Sequence, residues 1–160
     1  MNGRMSGKTV GASRISLAQL MQPEHANSLG HVHGGVIMKL VDEAGALACM
    51  RHAQTRVVTV AVDQMVFRQP IRIGDLVTLT AEVSYVGRTS MEAEVQVVAE
   101  NPITQEHVHA NTAYVVYVAL DDQGNPVAVP PLIPENSEQT LRMEEGRKRQ
   151  EYRLQQKAKN

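Results

Sequence analysis

The chain has 160 residues, 42% of them hydrophobic and 21% charged, with a formal net charge of −1. That length serves one domain with its own core, and near-neutrality excludes nucleic-acid binding through bulk positive charge. One Phe, four Tyr and no Trp leave the core to Val, Leu, Ile, Met and Ala, with eight Met to fill irregular gaps.

Residues 1–13 carry Gly, Ser, Lys and Arg without the apolar centre of a secretory signal, and read as a disordered lead. No run approaches ~18 consecutive apolar residues, so no membrane span is expected and the expected location is cytoplasmic. Residues 14–21 (RISLAQLM) read as a first strand that Pro23 closes. The stretch that follows, NSLGHVHGGVIMKLVDEAGALACMRH from Asn27 to His52, is the only place where a turn rich in Gly and His runs straight into a long apolar helix. From about Gly34 to His52, the residues Val36, Ile37, Leu40, Val41, Ala44, Leu47 and Ala48 cover more than half of the helix circumference, which predicts a largely buried helix. Cys49 lies within it. As the single cysteine it forms no disulfide within the chain, and it reads as a small buried hydrophobe rather than a nucleophile.

Beyond Gln54 the apolar period changes. Residues 56–67 (RVVTVAVDQMVF) are rich in Val and Thr and read as a strand, followed by a bend at Gln69-Pro70 and a turn at Ile73-Gly74-Asp75. Residues 76–86 alternate, with Val77, Leu79, Ala81, Val83 and Tyr85 expected on one face. A turn at Val86-Gly87-Arg88-Thr89 leads to residues 90–100, where Met91, Ala93, Val95, Val97 and Ala99 are expected to face inward. Asn101-Pro102 turns the chain again, and residues 106–120 make a third long strand in an antiparallel meander. One buried helix ahead of four or five antiparallel strands predicts an α+β arrangement in which the sheet wraps the helix and a second copy covers what remains, at least a dimer. Residues 135–160 are charged and helix-prone, with Leu141, Tyr152 and Leu154 too sparse for a strong apolar stripe. They read as a solvated tail helix laced by pairs such as Glu144 with Lys148.

Asp42 is the first candidate for chemistry. It shares a helical stripe with Lys39 and Glu43, which alone would suggest an exposed ion pair. The stripe continues through Gly35, Ala46, Cys49 and Met50, however, and a carboxylate inside an otherwise buried helix needs partners or a task. Gly34 and Gly35 let the first amides of the helix face a ligand closely, and such amides suit an oxyanion or a phosphate. Gly35 and Asp42 are seven residues apart, ~10 Å along the axis, so one helix does not supply both groups to one reacting atom. A two-fold dimer with antiparallel helices would bring Asn27 and Gly34 of one chain to Asp42 of the other. The pairs His31-Val32-His33 and His107-Val108-His109 allow a four-histidine zinc site on paper, although no metal is expected. P-loop, GxGxxG, GxSxG and HExxH motifs are absent.

A set of motifs then resembles a known family: Asn27…Gly30…His33-Gly34-Gly35…Asp42-Glu43, Arg51-His52-Ala53, Val57-Val58-Thr59-Val60, Phe67-Arg68-Gln69-Pro70-Ile71, Ile73-Gly74-Asp75, and Val86-Gly87-Arg88-Thr89-Ser90-Met91. It is similar to the hotdog-fold acyl-CoA thioesterases, and within them to the cytosolic (brain-type) acyl-CoA hydrolase group and its short bacterial relatives, over about residues 14–134. The resemblance implies a hotdog domain there, flanked by the lead and by the tail at 135–160. It also implies dimers that assemble into trimers of dimers, a hexamer, and hydrolysis of acyl-CoA to free acid and coenzyme A in fatty acid metabolism. No cofactor is implied beyond the coenzyme A of the substrate, and neither a nucleic acid nor a membrane as partner. Asn27 and Asp42 fall on the catalytic pair, donated by opposite subunits, with Gly34 and Gly35 at the oxyanion. Coenzyme A is expected along Thr59 and Val60 and at Arg88, Thr89 and Ser90. The Asn…His-Gly-Gly…Asp part is shared with the phenylacetate-pathway and hydroxybenzoyl-CoA thioesterases. A catalytically silent acyl-CoA-binding regulator is the alternative from another functional class.

Overall fold

The computed structural model describes residues 5–63 and 65–160. Five strands form one antiparallel sheet: β2 (Ile15–Leu20), β3 (Arg56–Val62), β4 (Leu76–Val86), β5 (Ser90–Glu100) and β6 (His107–Leu120). They lie in the order β2-β4-β5-β6-β3. The alternation that predicts β4 to β6 is a consequence of their pleat. Val77, Leu79, Ala81, Val83, Met91, Val95, Val97, Ala113, Val115 and Tyr117 all point to one face, and none exceeds 1% exposure. Tight chemistry closes the connections. Asn101 Oδ1 accepts from the Ile103 and Thr104 amides, an Asx turn between β5 and β6, and Gly74 enters β4 at φ 92°, a value open to Gly and few others.

Helix α2 (Gly34–Ala53) crosses the inner face and touches all of β2 to β6, so the sheet curls around it. Ile37, Leu40, Val41, Ala44, Gly45, Ala48, Cys49 and His52 recur at helical spacing and are buried. The buried stripe is narrower than expected: Leu47 is exposed and Val36 only half-buried. Gln54 ends the helix in the left-handed region at φ 57°, its N–H returning to Met50 O.

Three further sequence expectations need correction. Tyr85 does not join the inward set: the β4–β5 register shifts between Val83 and Tyr85, which buries Ser84 and turns Tyr85 to the outer face. The strand expected over residues 56–67 ends at Val62, where pairing with β6 stops at Val115; residue 64 of that stretch lies outside the described residues. The expected disordered lead is structured from Lys8. Strand β1 (Lys8–Thr9) pairs in parallel with β7 (Leu132–Ile133), and helix α1 (Val10–Ser13) buries Val10 and Ser13 while the Gly11 amide donates to Glu135. Residues 1–4 of that lead lie outside the described residues.

The tail forms α3 (Ser137–Lys159), which Asn136 caps by accepting from the Gln139 amide at 2.8 Å. Leu141, Tyr152 and Leu154 are exposed as their spacing suggests. The helix is nevertheless anchored rather than merely solvated. Glu92, 1% exposed on the outer face of β5, accepts from Ser84 Oγ, Arg149 and Arg153. Arg153 also bonds Asp63 at 2.6 Å, just past the end of β3. Gly146 lets the helix approach, since a Cβ there would sit 2.7 Å from Tyr85 Cβ. Glu144 pairs with Arg147, one residue short of the expected Lys148.

Candidate active site

Asp42 sits midway along α2, half-buried, over the inner face where β3 meets β6. Thr59 and Tyr117 stand opposite each other in that ladder, so both side chains rise from the same face toward the helix. Thr59 Oγ1 donates to Asp42 Oδ1 at 2.8 Å, and Tyr117 Oη donates to the same oxygen at 3.0 Å and to the Asp42 main-chain carbonyl at 2.9 Å. Both hydroxyls therefore hold Oδ1, and Oδ2 has no donor among the described residues. The pairing of β3 with β6 slips at the next residue, Val60, a bulge after which Ala61 and Val62 pair with Val116 and Val115. Beside the carboxylate opens a cavity of about 380 Å³, walled by Met38, Val41, Val62, Met65 and Val115 with Lys39 at its lip. Glu43, the neighbouring acid, is exposed to solvent.

Sequence reading missed Tyr117. It is fully buried, and room for its hydroxyl exists because residue 45 is Gly: a Cβ there would lie 2.5 Å from Tyr117 Oη. The available signal was a lone Tyr at an inward position among Ala113, Val115 and Ala119. Burial and the adjacent Asp42 charge push its phenol well above the usual range, so it stays protonated and acts as a donor.

Asn27 is built into a turn. Its N–H donates to His31 O at 2.7 Å, and its Oδ1 accepts from the Leu29 and His31 amides at 2.9 and 3.2 Å. Two backbone donors identify the oxygen of the carboxamide and leave Nδ2 as the group available to a ligand. Gly30, at φ 79°, closes that turn. His33 caps α2 by accepting the Gly35 amide on Nδ1 at 2.9 Å. This corrects the expectation for Gly35: its N–H is engaged, and a side chain at 35 would press on the His33 ring at 3.1 Å. The Gly34 N–H remains, with no acceptor among the described residues. Gly34 lies eight residues from Asp42, ~12 Å along the helix. Within one chain the partners of Asp42 are Thr59 and Tyr117, and Asn27 is not among them.

The remaining expected residues fall at one end of the sheet. Val60 is exposed on the edge strand. Arg88, Thr89 and Ser90 form the β4–β5 turn, closed by Gly87 N–H to Ser90 O and tied down by Arg88 O and Thr89 O to the Val129 and Ala119 amides. Ser90 pairs with Val118, and Val118 with Val58, so this turn stands two strands from the Thr59–Val60 edge, ~10 Å away. The histidines do not converge. His33 caps the helix, while His109 bonds Gln96 and Thr112 at the start of β6. Among the described residues no three His, Cys, Asp or Glu side chains are grouped to hold a metal ion. Cys49 is buried, and its thiol is pushed far up by that burial and by the charge of Glu92, which leaves it inert. No described helix is long and apolar enough to cross a membrane.

A helix sheathed by a curled antiparallel sheet, with a cradled Asp at mid-helix and an Asn turn before its start, defines a class. Residues 29–105 match the Thioesterase superfamily. The cytosolic acyl coenzyme A thioester hydrolase of Rattus norvegicus is 39% identical over 153 residues, covering 94% of this chain and 39% of the relative. The chain thus spans about two fifths of that relative's length. Among solved structures, the Staphylococcus aureus acyl-CoA hydrolase bound to butyryl coenzyme A, coenzyme A and coenzyme A disulfide superposes with a TM-score of 0.87 at 32% identity, over 95% of this chain and 93% of that one. The same hydrolase has been solved with an Asp, an Asn or a Thr replaced by Ala. An apo-hexameric acyl-CoA thioesterase superposes at 0.91 with 33% identity, over 96% and 99% of the two chains. The chain belongs to the thioesterase superfamily and has its hotdog fold.

Proposed function

We propose that the protein is a cytoplasmic acyl-CoA thioesterase, hydrolysing acyl-CoA to a carboxylic acid and coenzyme A at a site shared between two copies of the chain. The observation that carries this reading is the Asp42 cradle: two hydroxyls grip Oδ1 of a carboxylate that lines an apolar cavity, and Oδ2 has no donor among the described residues. The similar Staphylococcus aureus hydrolase, solved with butyryl coenzyme A, supports the substrate class.

The second copy is supported by what one chain leaves uncovered. The open edge strand β3 exposes Val58, Val60 and Val62, and the adjoining surface adds Met38, Val66 and Phe67, all between 43% and 54% exposed. An open apolar edge is a template for pairing. A two-fold partner seated there would carry its own Asn27 and Gly34 toward Asp42, and trimers of such dimers are the proposed assembly, in line with the hexameric relative.

In this site the Gly34 N–H and Asn27 Nδ2 of one copy polarise the thioester carbonyl. Asp42 of the other takes a proton from water on Oδ2 as the water oxygen attacks the carbonyl carbon. The tetrahedral oxyanion then collapses, the C–S bond breaks, and the coenzyme A thiolate leaves and is reprotonated. Direct attack by Oδ2 to give a mixed anhydride, hydrolysed in a second step, uses the same groups. The acyl chain takes the cavity, pantetheine follows Thr59 and Val60, and Arg88 with Thr89 and Ser90 meets the phosphates.

Asp42→Asn should lower kcat on acyl-CoAs from acetyl to palmitoyl by about 10²-fold or more while leaving coenzyme A binding intact. Wild-type turnover in that variant would sink the reading. No turnover by the wild-type protein on any chain length, with binding retained, would instead favour the acyl-CoA-binding regulator. Single turnover in heavy-oxygen water separates the two mechanisms, because the anhydride route leaves label in Asp42.

A further inference from the structure

We propose that Tyr117 is a positioning residue for this reaction: its hydroxyl orients the Asp42 carboxylate. The inference rests on Asp42 being the reacting acid. A carboxylate on a helix can rotate about its terminal torsion, which is broad and two-fold. Presenting one chosen oxygen to a ligand therefore needs a partner that does not move. Thr59 is a poor candidate, since it is exposed and lies on the edge strand beside the Val60 bulge. Tyr117 is the opposite. It is 0% exposed, in register between Met91 of β5 and Thr59 of β3, with its ring against Gly45. Its single proton is shared between Oδ1 and the main-chain carbonyl of Asp42, so it registers both the carboxylate and the helix backbone that carries it.

The Gly at 45 makes this arrangement possible. Gly in a helix interior is unfavourable relative to Ala, and here any side chain would strike Tyr117 Oη and ring carbons 2.5 to 3.2 Å away. The other ionisable groups near the pair are Lys39 at the cavity lip and Cys49 behind the ring, the latter protonated. A hydrogen bond donated to a carboxylate favours its charged form, and removing the donor makes the acid more basic.

The test is Tyr117→Phe, which keeps the ring and deletes the donor, alongside 3-fluorotyrosine at position 117, which strengthens the donor without changing shape. For Phe, kcat should fall about tenfold with KM within about twofold, and the acid limb of the kcat/KM profile should move up on the order of one pH unit. For fluorotyrosine the limb should move down. Should Phe fail to fold, the fluorotyrosine protein decides alone. An unmoved limb in the folded variants, beside an inactive Asp42→Asn protein, would overturn the role of Tyr117 and spare that of Asp42. Full activity of Asp42→Asn would overturn both.

Discussion

At the scale of single residues, the site divides its labour between atoms of one side chain. Asp42 spends Oδ1 on Thr59 and Tyr117, and its Oδ2 has no donor among the described residues. Asn27 spends Oδ1 on its own turn and keeps Nδ2. This makes Asn27→Asp a sharper probe than truncation. The aspartate still accepts from the Leu29 and His31 amides, so the turn and the thermal midpoint should hold. The donor, however, becomes a second oxygen, and turnover should drop by about 10²-fold. Equal loss of stability and rate would mean that Asn27 serves the loop alone. The roles of Asp42 and Asn27 both stay proposed. Asp42 was singled out in the sequence as a candidate because carboxylate, Gly and His sit oddly beside a greasy helix, and Asn27 through the family motif. Tyr117 was not, since nothing local announces that an inward strand residue will meet a helix 75 positions earlier in the chain. The engagement of the Gly35 amide was equally hidden, as it depends on how the His33 ring turns.

At the scale of elements, strict alternation made β4 and β5 readable nearly to the residue, bounding turns did so for β6, and helical spacing for α2. Most of what escaped has a common cause: contacts distant in sequence. Whereas the bulge at Ser84 that redirects Tyr85 breaks the alternation within one hairpin, the early end of β3, the β1–β7 pairing and the seating of α3 on Glu92 are all set by partners far along the chain. One such contact makes stability depend on pH. His52, buried near the end of α2, bonds Pro130 O through Nε2 at 2.8 Å, and its Nδ1 has no partner among the described residues. Burial holds its pKa below the ordinary value, helped by Lys8 and opposed by the Pro130 bond. Below about pH 6.5 the unfolded chain therefore binds a proton that the folded chain resists. This contribution is complete above that pH and is lost as pH falls toward the lowered folded value. Wild type should lose thermal midpoint from pH 7 to 5 faster than His52→Gln; parallel curves would deny His52 the effect.

At the scale of the whole molecule, one chain is an unfinished object. Its curled sheet closes over α2 on one side and leaves the β3 edge, with Val58, Val60 and Val62, open on the other. The cavity beside Asp42 opens next to that same edge. Sequence reasoning reached this point from helix geometry: the ~10 Å between Gly35 and Asp42 exceeds what one reacting atom can bridge. The central claim is thus that catalysis needs two chains. Asn27→Ala and Asp42→Asn proteins, each inactive alone, should be unfolded together, refolded as a mixture, and assayed on one acyl-CoA. If each site draws Asn27 from one copy and Asp42 from the other, about a quarter of wild-type activity should return, carried by the mixed dimers with one intact site each. If both residues act within one chain, every site in the mixture stays broken, and no recovery above the two parents would contradict the shared site.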